Sequence, residues 1–215
     1  MLSFLATADG GLTTAGYIVT AILIFLLLIL ISAIANKGKQ IGARQLAFAA
    51  VALALATVCS MIKVLEMPMG GSVTLLSMLF VVLIGYWYGP AVGLMAGVAY
   101  GLLQLILGPY IVSIPQLLVD YPFAFGALGL AGFFSEKKYG LTIGYIVAVF
   151  GRFVFAVLSG VIFFGMYAPE GMSPMVYSIL YNGGYLLAEA VVTVIIISIP
   201  AVKKALARVR QQATA

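Results

Sequence analysis

Histidine is missing from all 215 residues, and cysteine and tryptophan occur once each, as Cys59 and Trp87. Without histidine the chain lacks both the commonest metal ligand and the commonest general base, which weighs against most metal-dependent and hydrolytic enzymes. One cysteine cannot close a disulfide framework, and Cys59 lies within an apolar run where a small core residue is expected. Charge is scarce as well: only 8% of residues are Asp, Glu, Lys or Arg. A glycine-rich phosphate-binding run ending in GKS or GKT is also missing, so any ATP hydrolysis must come from elsewhere.

What remains is apolar. The chain is 64% hydrophobic with a mean hydropathy of +1.21, which marks an integral membrane protein. Its long apolar runs read as helices rather than the alternating strands of a barrel. At about 20 residues per span the length allows about six or seven crossings and no separate soluble domain. The expected spans are Tyr17–Ala35, Gln45–Met61, Val73–Tyr88, Ala91–Leu107, Pro115–Phe134, Leu141–Tyr167 and Met175–Ile199. Ala33-Ile34-Ala35 resembles a cleavage site, but no basic residue precedes the first run, so a retained span entering with the N-terminus outside is expected. Nine of the ten loop cations then fall on the cytoplasmic side, with Lys63 outside, which satisfies the positive-inside rule. The net charge of +5 is thereby a matter of topology, and the basic tail reads as a membrane-surface feature, not a nucleic-acid site. Gly89, Gly93, Gly97 and Gly101 recur every four residues and predict a smooth helix face for close packing.

Three charges stay within the expected spans: Asp120, Arg152 and Glu189. A charge inside a membrane segment is costly and points to function. At 1.5 Å per residue Asp120 lies roughly 8 Å below the outer end of its helix, and Arg152 and Glu189 roughly 22 Å deep. Equal depth allows an Arg152–Glu189 ion pair that fixes helix register; alternatively Arg152 reaches up to hold Asp120 ionised. At the depth of Asp120 the last two spans offer Ser159, Gly160, Phe163, Phe164, Tyr177 and Asn182. One anion, aromatic walls and a few hydrogen-bonding groups suit a compact aromatic cation.

LAFAA, MPMGGSVTLLSM, GLMAGVAYGLLQLILG, LLVDYPFAFGALGLAGFF and SGVIFFGMYAPEGMSPMVYSILYNGGYL follow one another between Arg44 and Pro200. Together they resemble the thiamine-specific substrate-binding component of energy-coupling factor transporters, the ThiT or YuaJ family. The resemblance implies an all-α six-helix membrane bundle, with the first span as an additional N-terminal helix. Residues 1–40 would form that helix and its linker, 41–203 the binding domain and 204–215 a basic cytoplasmic tail. It also implies capture of thiamine from outside and docking on a transmembrane coupling subunit driven by two ATPases, with no cofactor, no metal and no nucleic acid. By position it gives Asp120, in place of the family's glutamate, as the acidic contact, with Tyr121 beside it. Tyr100, Tyr110, Ser159, Arg152, Gly160, Phe164, Tyr177 and Asn182 complete the implied ligand site. The small-residue coupling motif falls on Ala47 with Val51, or on Ala50 and Ala54. Ala156 stands where many members carry a histidine and Phe164 where some carry tryptophan, which leaves a thiamine precursor or another heterocyclic vitamin open as ligand. An intramembrane enzyme would need a second carboxylate or a metal cluster near Asp120, and the sequence offers neither.

Overall fold

Apolar runs broken by Gly and Pro fold as helices here because helices satisfy every backbone group internally, which lipid requires. The computed structural model describes residues 13–15, 18 and 42–215. The run expected over Tyr17–Ala35 lies, Ile18 apart, outside the described residues. The chain from 42 onward is α1 (Ala43–Met61), β1 (Lys63–Glu66), β2 (Ser72–Thr74), α2 (Ser77–Tyr88), α3 (Pro90–Gln104), α4 (Ile114–Phe134), α5 (Gly140–Phe163), α6 (Pro174–Ser198) and α7 (Pro200–Thr214). Helices α1, α4, α5 and α6 are long and apolar enough to cross a membrane.

The expected spans match these helices within a few residues, with two differences. Helix α2 has 12 residues, about 18 Å of rise against a hydrocarbon core of about 30 Å, so it covers only part of the thickness. The chain before it, expected as a plain outer loop, is an antiparallel β1–β2 hairpin pairing Lys63 with Thr74 and Glu66 with Ser72. Its tip turns through Met69 (φ 61°) and Gly70 (φ 91°). The second difference is the basic tail, which is helical: α6 breaks at Ile199-Pro200 and α7 follows. Val202, Leu206, Val209 and Ala213 turn toward the protein, and Leu206 packs on the main core. Arg210 fastens the helix, pairing with Glu136 at 3.0 Å and lying 4.6 Å from the Tyr86 ring centroid.

Helix α4 runs through the middle of the bundle, packed by α2, α3 and α5. The glycine strip does what its spacing predicts, since a Cβ at Gly97 or Gly101 would collide with the carbonyl oxygens of Phe125 and Tyr121 in α4. Gly89 differs: its φ of 92° makes the turn between α2 and α3, and nothing crowds it.

Glu189 corrects the ion-pair expectation. It is 3% exposed and accepts hydrogen bonds from Thr74 N (3.0 Å), Thr74 Oγ1 (2.7 Å), Ser77 Oγ (3.4 Å) and Met78 N (3.3 Å). Arg152 pairs with neither Glu189 nor Asp120; among the described residues the ion pairs are Lys63–Glu66 and Arg210–Glu136. Depth counted from helix ends assumed full-length spans. Because α2 begins only at Ser77, the Met78 N–H in its first turn and the Thr74 N–H at the end of the hairpin reach Glu189 and take the place assigned to arginine. Glu189→Gln is expected to cost about 1.5–3 kcal/mol, the scale of hydrogen bonds to a charged group, read as a lower thermal unfolding midpoint in detergent.

Candidate functional site

The α3–α4 connection sets Asp120 in place. Ser113 caps α4 by accepting from Gln116 N at 3.2 Å, with Pro115 in the first turn. Gln116, one turn on and 1% exposed, accepts from Val112 N (3.1 Å) and donates to Tyr110 O (3.1 Å) and to Asp120 Oδ2 (2.6 Å). The helix then widens into a π turn over Val119–Phe123 with Pro122 inside it. Such turns relieve the i−4 clash a proline would make and re-aim side chains. Tyr121 is fixed by accepting from Tyr110 N at 2.9 Å.

A cavity of about 220 Å³ opens beside Asp120. Tyr100, Tyr110, Asp120, Tyr121, Arg152, Ser159, Gly160, Phe164, Tyr177 and Asn182, expected around a ligand, all line it, whereas Phe163, expected at the same depth, is not among the lining residues. Asp120 Oδ1 accepts no hydrogen bond from the described residues. Ser159, 1% exposed, is placed to donate to this carboxylate, although its Oγ falls short of full hydrogen-bond geometry with any described residue. The carboxylate and this hydroxyl therefore share one hollow. Arg152 spreads its guanidinium over Phe125, 4.1 Å from the ring centroid, which shelters the charge without neutralising it.

Aromatic rings form much of the remaining wall. Phe164 lies 5.9 Å from Tyr110 and 6.3 Å from Tyr167, and Tyr177 lies 5.9 Å from Tyr181, all centroid to centroid. Tyr110 and Tyr167 hydroxyls stand 3.5 Å apart, a contact that holds the Tyr110 phenol above its ordinary pKa and hence neutral. Tyr100 is fully buried and donates to Ala56 O at 3.2 Å, so it offers a ring edge more than a free hydroxyl. Asn182 is committed within the protein: Nδ2 donates to Ser178 O (3.0 Å) and Ala156 O (3.2 Å), and Oδ1 accepts from Tyr185 (3.0 Å).

Sequence reasoning missed Gln116, Tyr181, Tyr185 and the hairpin residues Gly70, Gly71 and Ser72, which also line the cavity. Helical spacing could have found the first three, since Gln116 precedes Asp120 by one turn and Tyr181 and Tyr185 continue the row begun by Tyr177. The hairpin closes over the cavity because Tyr181 Oη donates to Pro68 O and accepts from Gly71 N at 3.0 Å.

Gly160 allows α5 and α6 to meet. A Cβ there would collide with Ser178 Oγ and stand 3.2 Å from Asn182 Nδ2. Gly160→Ala is expected to destabilise the protein by about 1–3 kcal/mol through overpacking and to widen the α5–α6 seam, measurable by thermal unfolding in detergent.

Residues 46–208 match the family model described as "Thiamine transporter protein (Thia_YuaJ)". The chain is 33% identical over 178 residues to the thiamine transporter ThiT of Bacillus subtilis (strain 168), covering 75% of this chain and 91% of that protein. It is also 33% identical over 122 residues to the thiamine transporter ThiT of Lacticaseibacillus paracasei, covering 48% and 60%. A solved structure of ThiT from Listeria monocytogenes superposes with a TM-score of 0.66 at 26% identity, covering 79% of this chain and 96% of that one.

Proposed function

This chain belongs to the thiamine transporter protein family (Thia_YuaJ), and from that membership we propose that it is a high-affinity membrane binding component that captures thiamine outside the cell. The family is one of membrane-embedded, multi-pass transporters, not enzymes. The observation that carries the ligand reading is the Asp120 carboxylate, with one oxygen held by Gln116 and the other open to an aromatic-walled cavity. Thiamine is a compact cation with two aromatic rings. The open carboxylate oxygen and Ser159 supply its polar contacts, while Tyr110, Phe164 and Tyr177 offer ring faces. Tyr121, Arg152, Gly160, Asn182 and Tyr100 shape and brace the walls.

Delivery runs through an energy-coupling factor complex: a transmembrane coupling subunit and two ATPases, which supply the energy this chain has no phosphate loop to harvest. Ala47, Ala50 and Ala54 lie on the exposed side of α1, a small-residue face that another helix can approach closely. In this reading residues 41–203 form a six-helix binding domain with an additional helix within 1–40. The N-terminus lies outside, and residues 204–215, within α7, face the cytoplasm. A thiamine precursor is the second reading. It is favoured by Ala156, whose methyl group offers no hydrogen bond at a cavity wall where the family often carries histidine.

Calorimetric titration of the purified protein with thiamine, riboflavin and a thiamine precursor tests both. Preference for the thiazolium or pyrimidine compounds is expected, and equal or stronger riboflavin binding would end the ligand reading. Asp120→Asn should weaken thiamine binding by about 2–5 kcal/mol, roughly 30-fold or more, because the charge meets its partner away from water. An unchanged dissociation constant would remove Asp120 from the site.

A further inference from the structure

At the α7 end of the bundle lysines outnumber acids: four of them gather near one carboxylate, Glu136, which Arg210 already engages. Lys138 Nζ lies 5.4 Å and Lys203 Nζ 5.2 Å from the centroid of one ring, that of Tyr139. Lys137 and Lys204 adjoin them in the chain, and all four lysines and Tyr139 are exposed. None of the four takes part in an ion pair among the described residues. Like charges gathered about one ring repel one another, and an anion between them would offset that repulsion. The elements that carry them are fixed relative to one another, because Arg210 ties α7 to Glu136 and Tyr86, and Tyr88 Oη donates to Ala213 O at 3.2 Å.

An apolar track leads away from the same ring. Ile143, Ile146 and Phe150 follow Tyr139 along one face of α5 at helical spacing, exposed by 40%, 51% and 62%. Cations and an exposed phenol at the end of a lipid-facing apolar stripe match the two halves of one molecule. We propose that this corner is a binding site for an anionic phospholipid. Its phosphate bridges Lys138 and Lys203, its headgroup rests on Tyr139, and an acyl chain lies along Ile143, Ile146 and Phe150. The apolar track selects a lipid over a free phosphate, and the net charge selects an anionic headgroup over a zwitterionic one. The site touches none of the cavity residues and stands independently of the ligand reading.

Native mass spectrometry of the full chain released from detergent micelles tests it, with phosphatidylglycerol, phosphatidylcholine of the same acyl chains, and inorganic phosphate as probes. Phosphatidylglycerol should be retained roughly 10-fold or more over phosphatidylcholine. Lys138→Gln combined with Lys203→Gln should bring the two lipids close to parity, since each interfacial lysine contributes roughly fivefold. Lys203→Gln alone, expected to lose roughly fivefold, gives the same reading should the double variant not fold. Equal retention of both lipids by the unaltered protein, or an unchanged preference in the variants, would overturn the site. Displacement of phosphatidylglycerol by equimolar inorganic phosphate would show a free-anion site instead and overturn the lipid assignment.

Discussion

A carboxylate in a lipid-embedded bundle needs several polar partners, and among the described residues Asp120 has one full hydrogen bond, from the Gln116 amide at 2.6 Å. Much of the local architecture serves that single bond. Ser113 and Pro115 start the helix so that Gln116 falls one turn before Asp120, and the Gln116 side chain also ties the backbone at Tyr110 and Val112. The π turn around Pro122 then rotates the rest of α4 so that its small residues, not its charge, meet α3. Asp120 is held firmly in position and left incomplete in charge.

The second buried acid shows what completion looks like. Glu189 accepts four hydrogen bonds from the end of the hairpin and the start of α2 and is not among the residues lining the cavity. Both acids lie in apolar helices, and their surroundings separate a satisfied structural anchor from the carboxylate to which we assign recognition. Glu189 has a further consequence through Thr74, the last residue of the hairpin. With Tyr181 gripping the tip, α6 holds the roof of the cavity at both ends while Ser178 and Asn182 hold its wall to α5. Roof and wall hang from one helix.

Hydropathy alone located α1 to α6 to within a few residues, because a span is a property of its own sequence. The convergence of Asp120, Ser159, Gly160, Phe164, Tyr177 and Asn182 on one cavity was also legible, since helical spacing and depth along α4, α5 and α6 are local quantities. The hairpin was not. MPMGGS reads as a turn, and its descent into the bundle depends on Tyr181 and Glu189, more than 100 residues away. The Arg152–Glu189 pairing failed for the same reason: the hairpin's end and the first turn of a short α2 bring backbone donors to a carboxylate that sequence alone left facing an arginine. The periodic Val202, Leu206, Val209 and Ala213 of α7 could have been read as a helix, but the cations between them drew the reading toward a plain tail.

The wall at Ala156 decides how the cavity can discriminate. A histidine at this position would add a donor or acceptor; here the Ala156 carbonyl is taken by Asn182, whose own oxygen is taken by Tyr185. This flank therefore presents satisfied groups. Unpaired capacity concentrates at Asp120 Oδ1 and the Ser159 hydroxyl, with Arg152 drawn onto Phe125. In the proposed ligand reading, positive charge and a hydrogen-bond donor belong there and flat rings against Tyr110, Phe164 and Tyr177. On that reading added polar groups beside Asn182 would meet no free partner from its amide and would lose their hydration, which favours selection by shape there.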